Sequence, residues 1–107
     1  MRNAAIRVYA SITGLSPEQA EALEEEYDFS DSRFQDESLE LEYEGLFFPI
    51  DDFVDSVMEL LPPEAEARID YIDNDDWTIT RHTLSDGELT TAHRNIDDML
   101  EKYTPER

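Results

Sequence analysis

Carboxylates are the side chains through which this chain could do chemistry: 28 Asp and Glu stand against 8 Lys and Arg, for a formal charge of −20. Their spacing is suggestive in places. In "ESLELEYEG", Glu40, Glu42 and Glu44 alternate with Leu39, Leu41 and Tyr43. On a strand the three glutamates share one face, although Glu is a poor strand former and like charges repel. "DNDD" at 73–76 crowds Asp73, Asp75 and Asp76 into a turn close enough for calcium. An EF-hand loop begun at Asp73 needs Gly and Glu where the chain has Thr78 and Leu84, so a solvated turn is the simpler expectation. His82 and His93 have no Cys nearby and would need remote carboxylates to hold zinc.

Catalysis is poorly provided for. A carboxylic general acid needs burial to raise its pKa, and nearly all the acids fall on polar faces. No Gly-rich phosphate loop, G-x-S-x-G or Cys nucleophile occurs, and the whole chain has three glycines. The expectation is no catalytic residue, no metal site and no cofactor. A cation-dependent enzyme or sensor is the least favoured class.

The elements that must hold these acids follow from periodicity. Residues 5–13 alternate Ile6, Val8, Ala10 and Ile12 against Arg7, Tyr9 and Ser11, which predicts a strand with one buried face, ended by Gly14. Ser16 as N-cap, Pro17 at the first helical position and Gln19 completing a capping box predict a helix to about Tyr27. Ala20, Leu23 and Tyr27 form its apolar stripe; Glu24, Glu25 and Glu26 crowd the C-terminal end, where the helix dipole disfavours them. Residues 28–37 read as a polar loop in which "SRF" could add a short edge strand. Residues 38–44 are a strand broken by Gly45. "LFFP" leads to a second helix capped by Asp51 or Asp52, with Phe53, Val54, Val57, Leu60 and Leu61 inward and Asp51, Asp52, Asp55 and Glu59 outward. Phe47 and Phe48 cannot both face the core of an extended segment.

Beyond Pro62 and Pro63, residues 66–72 alternate again, with Ala67, Ile69 and Tyr71 against Arg68, Asp70 and Ile72. "WTITRHTL" predicts a strand at 77–84 with Trp77 and Ile79 on one face. Trp77 is expected in the core, its alternative role being an interface anchor rimmed by carboxylates. Asp86-Gly87 signals a hairpin, "LTTAH" a short last strand, and Asn95 a cap for a C-terminal helix carrying Ile96, Met99, Leu100 and Tyr103. The fold class expected is α+β: one domain spanning 1–107, a two-layer sandwich with a mostly antiparallel sheet and helices on one face, ferredoxin-like in arrangement.

Charge bounds the partners. Residues 18–76 hold 22 acids against Arg33 and Arg68, whereas residues 77–107 are nearly balanced. A polyanion of this kind does not bind nucleic acid or an anionic membrane directly. With no cysteine, no signal-peptide h-region and no long apolar run, a cytoplasmic protein is expected. Alternate strand residues lie about 6.6–6.8 Å apart, comparable to successive phosphates on one nucleic-acid strand. An ordered row of such anions could occupy a nucleic-acid-binding cleft and gain the same counterion release. The expected partner-binding residues are Glu40, Glu42, Glu44, Asp70, Asp73, Asp75 and Asp76, supported by Glu24, Glu25, Glu26, Asp51, Asp52 and Asp55.

Size, a small α+β domain and an acid-rich centre held on strands and helices together resemble the nucleic-acid mimics of phages and mobile elements, the anti-CRISPR proteins in particular. The resemblance covers general character and no motif. It implies a non-catalytic inhibitor that blocks the nucleic-acid-binding surface of a basic protein, such as a Cas protein or Cascade subunit. Arg2 and Arg7 depart from a uniformly acidic mimic and suggest that one face lies outside the site. The alternative is a salt-adapted or housekeeping interaction domain, for which one lysine against seven arginines speaks.

Overall fold

A computed structural model describes residues 5–95. The elements run β1 (Ile6–Thr13), α1 (Pro17–Glu26), β2 (Asp31–Gln35), β3 (Ser38–Gly45), α2 (Ile50–Leu60), β4 (Glu66–Asp73), β5 (Thr78–Ser85) and β6 (Glu88–Asn95). The strands form one sheet in the order β2-β3-β1-β4-β5-β6, with every neighbouring pair antiparallel. Both helices pack on one face, which makes the α+β two-layer arrangement. No described helix is long and apolar enough to cross a membrane.

The alternation in the sequence decides which face is covered. Ile6, Val8, Ala10 and Ile12 of β1 are buried beneath the helices, as are Leu39 and Leu41 of β3 and Ala67 and Ile69 of β4. From above, Ala20 and Leu23 of α1 and Phe53, Val54 and Val57 of α2 close the same core. Phe53 is at its centre, and its ring meets those of Tyr27, Phe29 and Phe48 at centroid distances of 5.3, 5.6 and 5.5 Å. Phe48 is buried and Phe47 exposed, as the extended segment requires.

Helix α1 starts as its capping box dictates. The Gln19 amide donates to Ser16 Oγ at 3.2 Å, and the Ser16 amide donates to Gln19 Oε1 at 2.9 Å, an arrangement contributing about 1 kcal/mol. Gln19 Nε2 also donates to the Leu60 carbonyl at 3.0 Å, so the start of α1 is tied to the end of α2. The two helices are therefore antiparallel. Before α1, Gly14 turns the chain at φ +92°; a Cβ there would stand 2.7 Å from that of Ala65, so no other residue fits.

Four local expectations change. Pro49 occupies the N-cap of α2 and no side chain caps it; Asp51 and Asp52 lie in the first turn, where they favour the dipole without bonding the end. The "SRF" segment does become an edge strand, β2, turned into β3 by Asp36 and Glu37, both at positive φ. Trp77 belongs to the β4–β5 turn at φ +60° and is 43% exposed, so it neither starts β5 nor enters the core. The last strand is full length rather than short, and Asn95 pairs with Thr78 at its end. The predicted C-terminal helix, with Ile96, Met99, Leu100 and Tyr103, and also Arg2, lie outside the described residues.

Candidate functional site

Strand register places the carboxylates. Across β3 and β1, Glu40 faces Ser11, Glu42 faces Tyr9 and Glu44 faces Arg7; across β1 and β4, Tyr9 faces Asp70 and Ser11 faces Arg68. These residues project from the face without helices. Glu40, Glu42 and Glu44 do form the expected ordered row, but they are not among anions alone. Arg7 reaches Glu44 at 3.5 Å, and Arg33 of β2 stands directly across from Glu40. Asp70 is gripped by Arg81, whose Nε and Nη2 donate to its two oxygens at 2.7 and 3.1 Å. Arg7 is held more firmly protonated than usual, first by its bond to the Tyr9 oxygen and then by Glu44.

Parity puts Arg94 on this face too, across from Ile79, so all five described arginines share it: Arg7, Arg33, Arg68, Arg81 and Arg94. Tyr9, Ser11, Asp31, Arg33, Glu40, Glu42, Arg68 and Asp70 line a shallow depression of about 380 Å³ at its middle. The open sheet face is thus a surface of mixed sign.

The opposite side differs. Among the described residues neither helix carries a basic residue, while α1 bears Glu18, Glu21, Glu24, Glu25 and Glu26, and α2 bears Asp51, Asp52, Asp55 and Glu59. Chain direction then gathers most of the predicted residues at one end of the molecule. β1 starts where β3 and β4 end, since Ile6 pairs with both Gly45 and Asp73. α2 leaves β3 from this end, and antiparallel α1 finishes there, with the Tyr27 ring tilted against that of Phe48 at a centroid distance of 5.9 Å. Glu24, Glu25, Glu26, Asp51, Asp52, Asp73, Asp75 and Asp76 consequently surround this pole, with Glu44 on its open-face side and Asp55 one helical turn further along α2.

The turn at the pole is ordered by its own acid. Asp73 Oδ1 accepts from the amides of Asp75 and Asp76 at 2.9 and 3.0 Å, which orders the backbone carrying these two exposed residues. The proximity of Asp51 and Asp73 registers on Tyr71, whose hydroxyl is pushed to higher pKa by burial first and then by those two charges. On the helix side of β5, burial pushes the His82 imidazole down, against the opposing pull of Asp51 and Asp70. The imidazole bonds Thr91 Oγ1 at 3.1 Å. Among the described residues no group of three or more His, Asp or Glu is placed to hold a metal ion.

Large apolar side chains emerge at the same pole. Leu46 and Phe47, in the loop between β3 and α2, are 73% and 72% exposed, and Trp77 projects from the Asp73 turn. The Tyr43 hydroxyl holds that loop by donating to the Phe47 carbonyl. Sequence reasoning missed Leu46 as a surface residue and missed the gathering of the five described arginines. The signal for the second was present in strand parity, but it becomes a surface only when the order of the strands is known. Comparison of the chain with family models, curated proteins and solved structures finds no match.

Proposed function

We propose that the protein is a non-catalytic inhibitor that seats its acidic pole in the nucleic-acid-binding cleft of a basic protein, a CRISPR–Cas effector being the class its character resembles. The supporting observation is the separation of charge among the described residues: every arginine stands on the open sheet face, whereas the helices carry carboxylates without one basic residue. Acids on successive helical turns are about 5–6 Å apart, close to phosphate spacing, and they are held by packed elements. Phe47 and Trp77 supply what a bare row of charges lacks, apolar anchors that bury at the centre of an interface while the charges steer the approach. On this reading Glu24, Glu25, Glu26, Asp51, Asp52, Asp73, Asp75 and Asp76 carry the contact. Glu40, Glu42 and Asp70, interleaved with arginines, contribute less. The finer architecture belongs to the same reading: β1 to β4 with α1 and α2 follow the split βαβ order of ferredoxin-like folds, extended by the β5–β6 hairpin.

The test is displacement of labelled duplex DNA from a panel of purified DNA-binding proteins that includes a Cascade complex. A mimic releases DNA from one of them at micromolar concentration or below, and release weakens steeply with salt. Lys at Glu24, Glu25 and Glu26 should abolish release, while Lys at Glu40, Glu42 and Glu44 should diminish it less. If no member of the panel loses DNA at about 50 μM protein, the proposal fails for that panel; if both triple variants compete like the parent, the carboxylates are not the contact.

A second reading, a salt-adapted domain of unrelated role, is favoured by one observation: no lysine occurs among the described residues. Melts in low and in about 1 M salt separate the two, since a salt-adapted domain unfolds without screening of its charge.

A further inference from the structure

Strand β6 is the outermost strand of the sheet, and all eight of its residues are exposed. Among the described residues nothing covers its outer edge. Sheet edges are ordinarily blunted by short length, charge, proline or a bulge, because unpaired main-chain groups recruit another strand. The opposite edge, β2, follows that rule: it is five residues long and runs into Asp36 and Glu37. β6 does not. It has no proline or glycine, and only Glu88 and Arg94 are charged.

Its hydrogen-bonding sense is fixed by the turn before it. Asp86 and Gly87 both have positive φ, 55° and 77°, which makes a two-residue turn between Ser85 and Glu88. Such a turn closes on a hydrogen-bonded pair, and bonded and non-bonded pairs alternate from there. Glu88, Thr90, Ala92 and Arg94 therefore bond inward to β5. Leu89, Thr91, His93 and Asn95 direct their amides and carbonyls to the free edge.

We propose that this edge pairs with the β6 edge of a second copy of the chain, antiparallel about a two-fold axis at Thr91. The axis requires outward-bonding residues to meet one another, and centring on Thr91 meets that requirement: Thr91 faces its own copy and Leu89 faces His93. In the same register Glu88 falls opposite Arg94 of the other copy, twice over, with Thr90 opposite Ala92 between them. These are non-hydrogen-bonded pairs, in which side chains stand closest, so two ion pairs bracket two Thr90–Ala92 pairs. Charge favours this edge over the helix side, whose helices carry no basic residue. Two copies of net charge −20 repel, but the acid excess lies in residues 18–76, and β6 balances one acid with one base. The two sheets become one, with the acidic pole of each copy left accessible, so the pairing does not depend on the inhibitor reading.

The experiment is sedimentation equilibrium of the full chain at about 0.15 M salt, where the Debye length is about 8 Å, with far-UV circular dichroism to confirm folding of each variant. The parent should sediment at twice 12.4 kDa. Thr91→Pro removes an outward amide and the side-chain bond to His82 while leaving the main-chain bonds to β5, and should weaken association at least about tenfold. Glu88→Arg and Arg94→Glu each turn both attractive pairs into repulsive ones, and each should also weaken it about tenfold or more. The swapped double variant Glu88→Arg with Arg94→Glu should restore the parental constant within about threefold. A parent that stays at 12.4 kDa at about 200 μM overturns the proposal, including the case in which β6 accepts a foreign strand instead. A dimer indifferent to Thr91→Pro, or one that the swap fails to restore, overturns it as well.

Discussion

Replacing Glu25 and Glu26 by Lys should make this protein more stable and less able to bind. Both residues are exposed in the last turn of α1, which ends in Tyr27 and itself carries no basic residue. A negative charge there opposes the helix dipole by about 0.3–1 kcal/mol, and a positive charge gains a similar amount. Two reversals therefore offer roughly 1–2 kcal/mol after solvent screening, with a further gain from lowering the repulsion of Glu21, Glu24, Asp51 and Asp52. For a domain of this size about 4–8 °C of Tm accompanies each kcal/mol, so the double variant should melt roughly 5–15 °C higher at low salt. Thermal melts by circular dichroism in about 10 mM and 500 mM NaCl give the check, because the increment should shrink as the Debye length falls below about 5 Å. A Tm that is unchanged or lower at low salt refutes the reasoning. If the stabilised variant still displaces DNA from the parent's target with undiminished affinity, these glutamates have no interface role, and the destabilising charge at the end of α1 has no functional return.

Gly14→Ala should lower stability by about 2–4 kcal/mol, combining left-handed backbone strain with the overlap on Ala65, and Ala65→Gly in that background should recover only the overlap; urea melts resolve the two. Trp77→Gly should leave Tm level or slightly raised, since glycine accepts φ +60° freely, while binding at the acidic pole falls severalfold by titration calorimetry. Phe53→Ala, at the centre of the aromatic cluster, should cost about 3–5 kcal/mol by chemical denaturation. Because burial depresses the His82 pKa, the unfolded chain takes up its proton more readily. The stability this residue contributes is complete above the unfolded value of about 6.5 and declines as pH falls below it. An imidazole NMR titration should therefore place His82 below 6.5, and His82→Gln should flatten that part of the stability profile.

The layers of this fold were legible because burial leaves a period-two record on strands and a stripe on helices. Val8 and Ile12, Leu39 and Leu41, Ala67 and Ile69 mark one covered face, and Phe53, Val54 and Val57 mark its lid. Capping was legible where a side chain did the bonding, at Ser16 and Gln19. It misled at Asp51 and Asp52, because Pro49 preceded them as N-cap and no side chain caps α2. Trp77 deceived for a related reason: its apolar bulk reads as a strand residue, and only the backbone shows that a left-handed turn position holds it outside. The carboxylate row on β3 was placed correctly as a row. Its neighbours were not foreseen, because Arg7, Arg33, Arg68, Arg81 and Arg94 are far apart in sequence and meet only through the order β2-β3-β1-β4-β5-β6. The gathering of Glu24–Glu26 with Asp51 and Asp73–Asp76 depended on the same topology.

The place of β1 between β3 and β4 has a consequence for biosynthesis. β1 leaves the ribosome before either of its partners: Ile12 waits for Leu39 on one side and for Ala67 on the other, and Ile6 waits for Asp73. At a translation rate of about 5–20 residues per second, the nascent chain spends several seconds with Ile6, Val8 and Ile12 unsheltered. The acidic stretch that follows gives neighbouring nascent chains like charges, which oppose their association.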